Sequence, residues 1–202
     1  NVISCETLAY SNLFENWMDL PPERQTLLDV TEDESEDDEG EETEKPPRVD
    51  AGALIHIGNE KTIIMVYQNK ELLTCRTISW GAEELATQIH KKYQIPMSEA
   101  HKELESKGFV LLTEEGATEA QATFSSTLVE PLSILAKRLK LIFLEIESEL
   151  HINISKCSLT GGVAQIQNIG PLFTQKLEVA TNPLLPELQN VRNVTDNYNP
   201  FT

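Results

Sequence analysis

Three short runs rich in β-branched residues lie close together between residues 53 and 79, and they constrain the fold more than any other feature. They cover residues 53–58, 62–68 and 71–79, and only the short segments 59–61 and 69–70 separate them. Breaks of two or three residues favour hairpins between antiparallel neighbours. The sequence therefore predicts a three-stranded antiparallel meander.

Helical periodicity follows the meander. Leu85, Ile89 and Tyr93 recur at four-residue steps, which predicts a helix over residues 82–93 that covers one face of the sheet. Ser98 is expected to cap a second helix that ends before Gly108. Residues 109–124 fit a short strand or loop followed by the start of a further helix.

The rest of the chain alternates helices with strands. Apolar residues at three- and four-residue steps predict a long helix from residue 128 to about residue 149, with Pro131 tolerated only in its first turn. The pattern ends with three further elements. A strand is predicted over 156–160, and a mostly helical segment over 164–177 is interrupted by Gly170 and Pro171. A short strand over 178–180 follows. This order predicts an α/β domain of the ribonuclease-H-like fold, with a mixed sheet and helices on both faces.

Acidic residues are concentrated in one run before the meander. Residues 29–44 hold 11 of the 33 acidic residues and no basic residue, which leaves 22 acidic against 16 basic residues, a net charge of −6, elsewhere. Neither part offers a basic surface that would neutralise phosphates, so nucleic acid is not an expected partner. The run itself is interpreted as a solvated linker, with an acidic docking tail as the alternative.

The chain is therefore predicted to have three parts. Residues 1–28 form a short helical segment, because Leu8, Leu13, Phe14 and Trp17 lie close to helical spacing. Residues 29–48 form the mobile acidic linker, and residues 49–202 form the α/β domain. No stretch approaches the roughly 18 to 20 apolar residues that span a bilayer, so no direct membrane insertion is expected.

The cysteines predict a reducing compartment. Cys5, Cys75 and Cys157 stand singly in apolar surroundings, without a second cysteine or histidine at metal-binding spacing. Buried free thiols are the expected state, and the cytosol the expected location. No metal site is predicted.

Two glycine turns follow predicted strands. The first, IHIGNEKT, places Gly58 after a strand, and the second, SLTGGVA, places Gly161 and Gly162 between a strand and a helix. Such turns let the backbone approach a flat ligand and leave N–H groups near a phosphate. Packing of the strand against the helix is the alternative role of Gly161 and Gly162.

These turns, together with ISWGAEELATQI and IPMSEAHKEL, give the chain a resemblance to a known family. From about residue 50 to residue 183 it resembles PilM, the actin-like cytoplasmic proteins of type IV pilus assembly, which are related to the cell-division protein FtsA and to GspL of type II secretion. The resemblance implies one half of the two-domain architecture of an actin-like ATPase. It also implies that residues 2–14 close the first subdomain.

The resemblance assigns a vestigial nucleotide site to Gly58, Asn59, Thr62, Gly161 and Gly162. In the family pattern an aspartate of the hairpin helps to hold the metal and the attacking water, and His56 stands at that position here. A neutral imidazole is a poor ligand for Mg²⁺, and Glu60 adds negative charge where phosphates would lie. No catalytic residue, metal or resident cofactor is expected, while ATP with Mg²⁺ in the intact protein stays open.

Other residues keep alternative interpretations. His56 is expected to be a hydrogen-bonded packing residue, with a general base in a different reaction as the rival interpretation. Lys137, Arg138 and Lys140 form a basic cluster on the long helix. The cluster is expected to be a solvated face, although it could bind the acidic run of the same chain.

The family resemblance with altered catalytic positions predicts a scaffold without ATPase activity. The expected place is the cytoplasmic face of the inner membrane, in a type II secretion or type IV pilus platform. The expected partners are the platform proteins and the assembly ATPase, and a homodimer is left open. A nucleotide-hydrolysing domain is the alternative, and a polymer-forming relative of FtsA ranks last, because residues 190–202 are polar and contain proline.

Overall fold

The computed structural model of the protein describes residues 48–69, 71–113 and 115–184. The predicted helical segment in residues 1–28, nearly all of the predicted linker and the thiol of Cys5 lie outside these residues. The described elements are strands β1 (Val49–Ile57), β2 (Thr62–Gln68), β3 (Glu71–Ile78), β4 (Ile152–Thr160) and β5 (Ala180–Pro183), helices α1 (Ala82–Tyr93), α2 (Met97–Lys107), α3 (Glu119–Leu150) and α4 (Ile169–Leu177), and a 3₁₀-helix (Gly162–Gln165).

The five strands form one mixed sheet in the order β3-β2-β1-β4-β5. β1 and β3 both pair antiparallel with β2, so the predicted meander is confirmed. β4 pairs parallel with β1, and β5 pairs parallel with β4. β1 therefore lies at the centre of the sheet, where it is paired on both sides.

The two faces of the sheet carry separate apolar clusters. Register pairs Ala53 with Val66 and Ile55 with Ile64, and these side chains belong to the large cluster on the first face. All four described α-helices contribute to that cluster, so the prediction of helices over the sheet is confirmed for this face. Described members of the cluster on the second face are the buried residues Leu54, Ile63, Met65, Tyr67 and Leu184 and the half-buried residues Leu72 and Cys75.

Helix α3 begins earlier than the apolar pattern predicts. Its first residue is Glu119, and Thr118 forms a capping box in which its hydroxyl accepts from Gln121 N. The prediction failed because the first two turns bury only Ser125 and so carry no apolar stripe. Pro131 consequently lies well inside the helix, where it is buried, and its placement in the first turn was wrong.

The start of helix α2 also corrects a prediction. Ser98 lies inside the first turn and does not cap the helix, which begins at Met97. The carbonyl of Pro96 accepts from Glu99 N and Ala100 N at 2.9 Å each, so backbone groups supply the start of this helix. Its predicted end before Gly108 is confirmed.

The segment after β4 differs from the prediction at its break and at its last strand. Gly170 and Pro171 do not interrupt a helix but lie in the first turn of α4, where proline is tolerated. The break falls instead at Asn168, which has a left-handed conformation (φ 66°) and donates from Nδ2 to Val110 O at 2.9 Å. Glu178 ends α4 in a left-handed conformation (φ 61°), so the last strand cannot include it and begins at Ala180.

Neither of the two described cysteines forms a disulfide. Cys157 is buried in β4, and this burial raises the pKa of its thiol to about 12, against a smaller lowering effect of its hydrogen bond with Thr181. Cys75 in β3 is only half-buried. None of the helices in the described part of the chain is long and apolar enough to cross a membrane.

We expect the two thiols to differ strongly in reactivity. Iodoacetamide at pH 8, followed by peptide mass spectrometry, should label Cys75 in the folded protein and leave Cys157 unlabelled until denaturant is added, because the thiolate is the nucleophile. Because the folded-state pKa is raised, the contribution of Cys157 to stability is present below pH 9.0 and is lost as the pH rises towards 12. Equal labelling of both thiols in the native protein would contradict this assignment.

Candidate nucleotide site

The candidate site is a cavity of about 490 Å³ at the carboxyl end of β1. Because β1 and β4 are parallel neighbours, the turns that follow them lie side by side at this edge of the sheet. The start of α1 and one side of α2 complete the wall. The lining residues are His56, Ile57, Gly58, Asn59, Ala82, His101, Leu104, Glu105, Gly108, Gly162, Val163, Gln165 and Ile166.

The turn after β1 is closed onto the start of helix α1. Gly58 N donates to Lys61 O at 2.9 Å, which tightens the turn. The carbonyls of Gly58 and Asn59 then accept from Ala82 N and Glu83 N, each at 2.9 Å. A helix N-terminus usually leaves its first N–H groups free for a cap or an anion. Here the first two of these groups already have backbone acceptors.

Gly81 makes this closure sterically possible. A Cβ atom at this position would lie 2.2 Å from Asn59 O and 2.7 Å from Glu60 N, both backbone atoms of the turn. Only a residue without a side chain lets the turn and the helix approach so closely. Gly81 therefore has a packing role beside the cavity, and it is not among the lining residues.

Thr62 lies behind the cavity and not in its lining. It is fully buried at the start of β2, and its hydroxyl donates to Trp80 O at 2.7 Å. Register with Ile57 places it on the face of the sheet that carries the helices. The hydroxyl of Thr62, one of the predicted site residues, thus links the start of β2 to the segment before α1 by a hydrogen bond.

The His56 ring lies close to both glycine turns. A Cβ atom at Gly58 would lie 3.5 Å from His56 Nε2, and one at Gly161 would lie 3.2 Å from His56 Cε1. Gly161 itself has a positive φ of 96°, and its Cβ atom would lie 2.2 Å from Ile57 O. The imidazole of His56 therefore lies between the two glycine turns.

The two glycines of the second turn have different roles. Gly161 provides the left-handed backbone and the close approach to β1, whereas a Cβ atom at Gly162 would meet nothing within 4 Å. Gly162 lines the cavity together with Gly58 and Asn59, and Gly161 does not. The structure thus brings three of the five predicted site residues to the cavity and leaves Thr62 and Gly161 behind its wall.

Helix α2 supplies polar wall residues that the sequence analysis missed. His101 Nε2 lies 3.0 Å from Glu83 Oε2, which joins α2 to the first turn of α1. Glu105 lies one turn further along α2, and Gln165 faces the same cavity from the 3₁₀-helix. The sequence offered one indication of these residues. Ala100 and Leu104 form the buried stripe of α2, and the residue that follows each of them, His101 or Glu105, lines the cavity.

The comparisons with known proteins agree with this geometry. The family model described as type IV pilus assembly protein PilM matches residues 46–194, which is most of the chain. The chain belongs to the PilM family. A comparison with curated proteins gives no match.

Solved structures share the fold of this PilM-family chain. A PilM-PilN type IV pilus biogenesis complex has a TM-score of 0.55 at 17% identity, with 70% of this chain and 37% of that chain covered. The ethanolamine utilization protein EutJ from Carboxydothermus hydrogenoformans has a TM-score of 0.52 at 15% identity, with 66% of this chain and 43% of that chain covered. MreB5 of Spiroplasma citri bound to AMPPNP has a TM-score of 0.51 at 16% identity, with 68% of this chain and 48% of that chain covered.

These similarities establish an actin-like fold for the described part of the chain. At such low identity they carry no residue roles. The chain spans less than half the length of each of these three proteins. The predicted family and the predicted fold, one part of an actin-like architecture, are confirmed.

We expect replacement of the two neighbouring glycines by alanine to have opposite outcomes. Gly161→Ala should lower the free energy of unfolding by about 2–4 kcal/mol, because it combines a left-handed backbone with a clash against Ile57 O. Gly162→Ala should stay within about 0.5 kcal/mol of the parent, since its methyl group enters open space. Urea denaturation followed by tryptophan fluorescence measures both values, and equal losses would contradict the assigned roles.

We expect Thr62 to act through its hydroxyl in the fold. Thr62→Val should cost about 1–3 kcal/mol, because the buried carbonyl of Trp80 loses its donor. Thr62→Ser keeps the hydroxyl and should cost about 1 kcal/mol for the lost methyl group. Thermal denaturation compares the two variants. A valine variant as stable as the parent would show that the hydroxyl is available for another role.

Proposed function

We propose that this PilM-family domain is a scaffold without ATPase activity. In this proposal it lies at the cytoplasmic face of a bacterial inner membrane and binds platform proteins and the assembly ATPase of a type IV pilus system. A type II secretion platform, to which the resemblance to GspL points, is the related setting. The family match supports the pilus system over the secretion system.

The observation that carries the proposal is the closed turn beside the cavity. Hydrolysis of a nucleoside triphosphate needs donors aimed at the phosphates and oxygen ligands for Mg²⁺. Ala82 N and Glu83 N, which point from the helix start, are already hydrogen-bonded to the turn. The His56 imidazole lies between the two glycine turns. The family resemblance implies a metal-binding carboxylate at this position, and an imidazole nitrogen suits Mg²⁺ poorly.

Charge at the turn points the same way. Glu60 is exposed at the tip of the β1–β2 turn, and the carboxylate of Glu105 lies in the lining of the cavity. At an effective dielectric constant of about 20, a carboxylate about 4 Å from a phosphate charge costs about 4 kcal/mol. Within the described residues, no group of three histidine, cysteine or acidic side chains is arranged to hold a metal ion that would offset this repulsion.

The partner class comes from the family and from one neighbour. The PilM in the structurally similar complex is assembled with PilN. We extend that kind of association to this chain, whose closed turn provides a rigid junction between the sheet and α1 without needing a ligand to order it. The helices outside the cavity offer the surface for such contacts.

Pull-down with the purified chain tests the scaffold role. Tagged protein should retain purified PilN-type platform proteins or the assembly ATPase from the same system, whether or not nucleotide is present. Gly162→Leu, which fills the cavity from a position with open space, should bind these partners as the parent does. An unrelated acidic α/β domain is the control, and failure to retain any platform component would contradict the proposal.

A second candidate function is nucleotide binding, and the cavity itself favours it. Its volume of about 490 Å³ lies within the usual range for small-molecule sites, and glycines line two of its sides. MreB5, which shares the fold, is found with AMPPNP.

Titration with a fluorescent ATP analogue separates the two functions. For the scaffold we expect weak binding that Mg²⁺ does not strengthen and no release of phosphate, because the N–H groups at the start of α1 are engaged. Gly162→Leu is the matched control that closes the cavity. Tight, Mg²⁺-dependent binding with turnover, abolished by Gly162→Leu, would establish the nucleotide-hydrolysing function instead.

A further inference from the structure

Helix α3 exposes an apolar ridge on the side away from the sheet. Ile134, Leu141 and Leu144 are 46%, 68% and 56% exposed, although each is a large aliphatic side chain. Residues 134 and 141 are one heptad apart, and residue 144 follows three positions later, so the three lie along one stripe of the helix. The ridge therefore has the spacing of a helix-pairing surface.

Two exposed charges of opposite sign lie beside the ridge, one on each side of Leu141 along the helix. Arg138 is exposed between Ile134 and Leu141, and Glu145 is exposed one heptad after Arg138. Among the described residues, neither Arg138 nor Glu145 forms an ion pair. Lys140, by contrast, forms an ion pair in which its Nζ lies 2.8 Å from Glu178 Oε1. The predicted basic cluster is thus divided, and Arg138 is left beside the apolar ridge.

We propose that α3 pairs antiparallel with α3 of a second copy of this chain, about a two-fold axis that passes close to Leu141. The midpoint of Arg138 and Glu145 falls between residues 141 and 142. An antiparallel pair centred there places Arg138 beside the partner's Glu145 on both sides of the axis, and Leu141 beside the partner's Leu141. A two-fold axis makes both ion pairs equivalent.

The charge pattern selects the second copy and its direction. In an antiparallel pair, the two charges are separated from the axis by equal distances, about 5 Å each at 1.5 Å per residue, so that opposite signs meet. A parallel pair in register would place Arg138 against Arg138 and Glu145 against Glu145, which costs energy. An acidic partner segment would complement Arg138 but would be repelled by Glu145, and the self-complementary pattern therefore fits a copy of the chain best.

One helix pair buries a smaller area than a standard stable interface, so this dimer is weak and concentration-dependent. Exposed ion pairs are screened by salt, and the affinity should therefore fall as ionic strength rises. Lys137, which is exposed next to the ridge, adds to the positive end. The dimer does not depend on the proposed scaffold function, because the ridge lies on α3 and not on the cavity.

Sedimentation equilibrium of the whole chain at low and high salt tests the proposal. The parent should show a monomer–dimer equilibrium. Arg138→Glu and Glu145→Arg should each weaken the dimer about tenfold, because each replaces two attractive pairs by two repulsive ones. The double variant should restore most of the lost affinity, since it exchanges the charges across the axis. Leu141→Lys should abolish the dimer.

Lys102→Glu provides the matched control, because Lys102 is exposed on α2 and its replacement changes the net charge as Arg138→Glu does. Its dimerisation should equal that of the parent. Circular dichroism checks that each variant is folded, which is expected at exposed positions. A chain that stays monomeric at every concentration, a double variant that fails to recover, or a control variant that loses affinity would each overturn the proposal.

Discussion

The closure of the β1–β2 turn onto helix α1 is the interaction on which the rest of the domain depends. It joins the central strand to the first helix through the carbonyls of Gly58 and Asn59, and the glycine at position 81 lets the backbones meet. Thr62 fixes the same junction from below by its bond to Trp80 O. With the turn held, α1 is placed over the sheet, and α2 follows as the opposite wall of the cavity.

Local patterns predicted most of the fold around this junction. β2 and α1 have the predicted bounds, because strand alternation, turn-sized breaks and a four-residue apolar period are all encoded within the segments themselves. A helix start within residues 109–124 was predicted and is confirmed, but the apolar period marks α3 only from residue 128, since its first turns bury only Ser125. A capping box at Thr118 determines where the helix begins. Ser98 was a plausible cap by type, but the preceding Pro96 carbonyl took that role.

The candidate site was predictable at its turns and not at its walls. Gly58, Asn59 and Gly162 were recognised from short motifs, and they line the cavity. His101, Glu105 and Gln165 reach it only because α2 and the 3₁₀-helix approach the carboxyl end of the sheet, and no local pattern encodes that approach. Thr62 illustrates the converse. A hydroxyl next to a phosphate-type turn has the right chemistry, but strand register directs it to the buried side.

Turn closure and phosphate binding compete for the same donors. A helix start has only a few free N–H groups, and a phosphate gains affinity from them only while they lack an acceptor. In this chain the carbonyls of the turn are those acceptors, and each bond that stabilises the junction also removes a donor from the cavity. The ring of His56 lies between the two glycine turns, next to both Gly58 and Gly161. One set of backbone contacts therefore both fixes the junction between the sheet and α1 and engages the first two N–H groups of that helix.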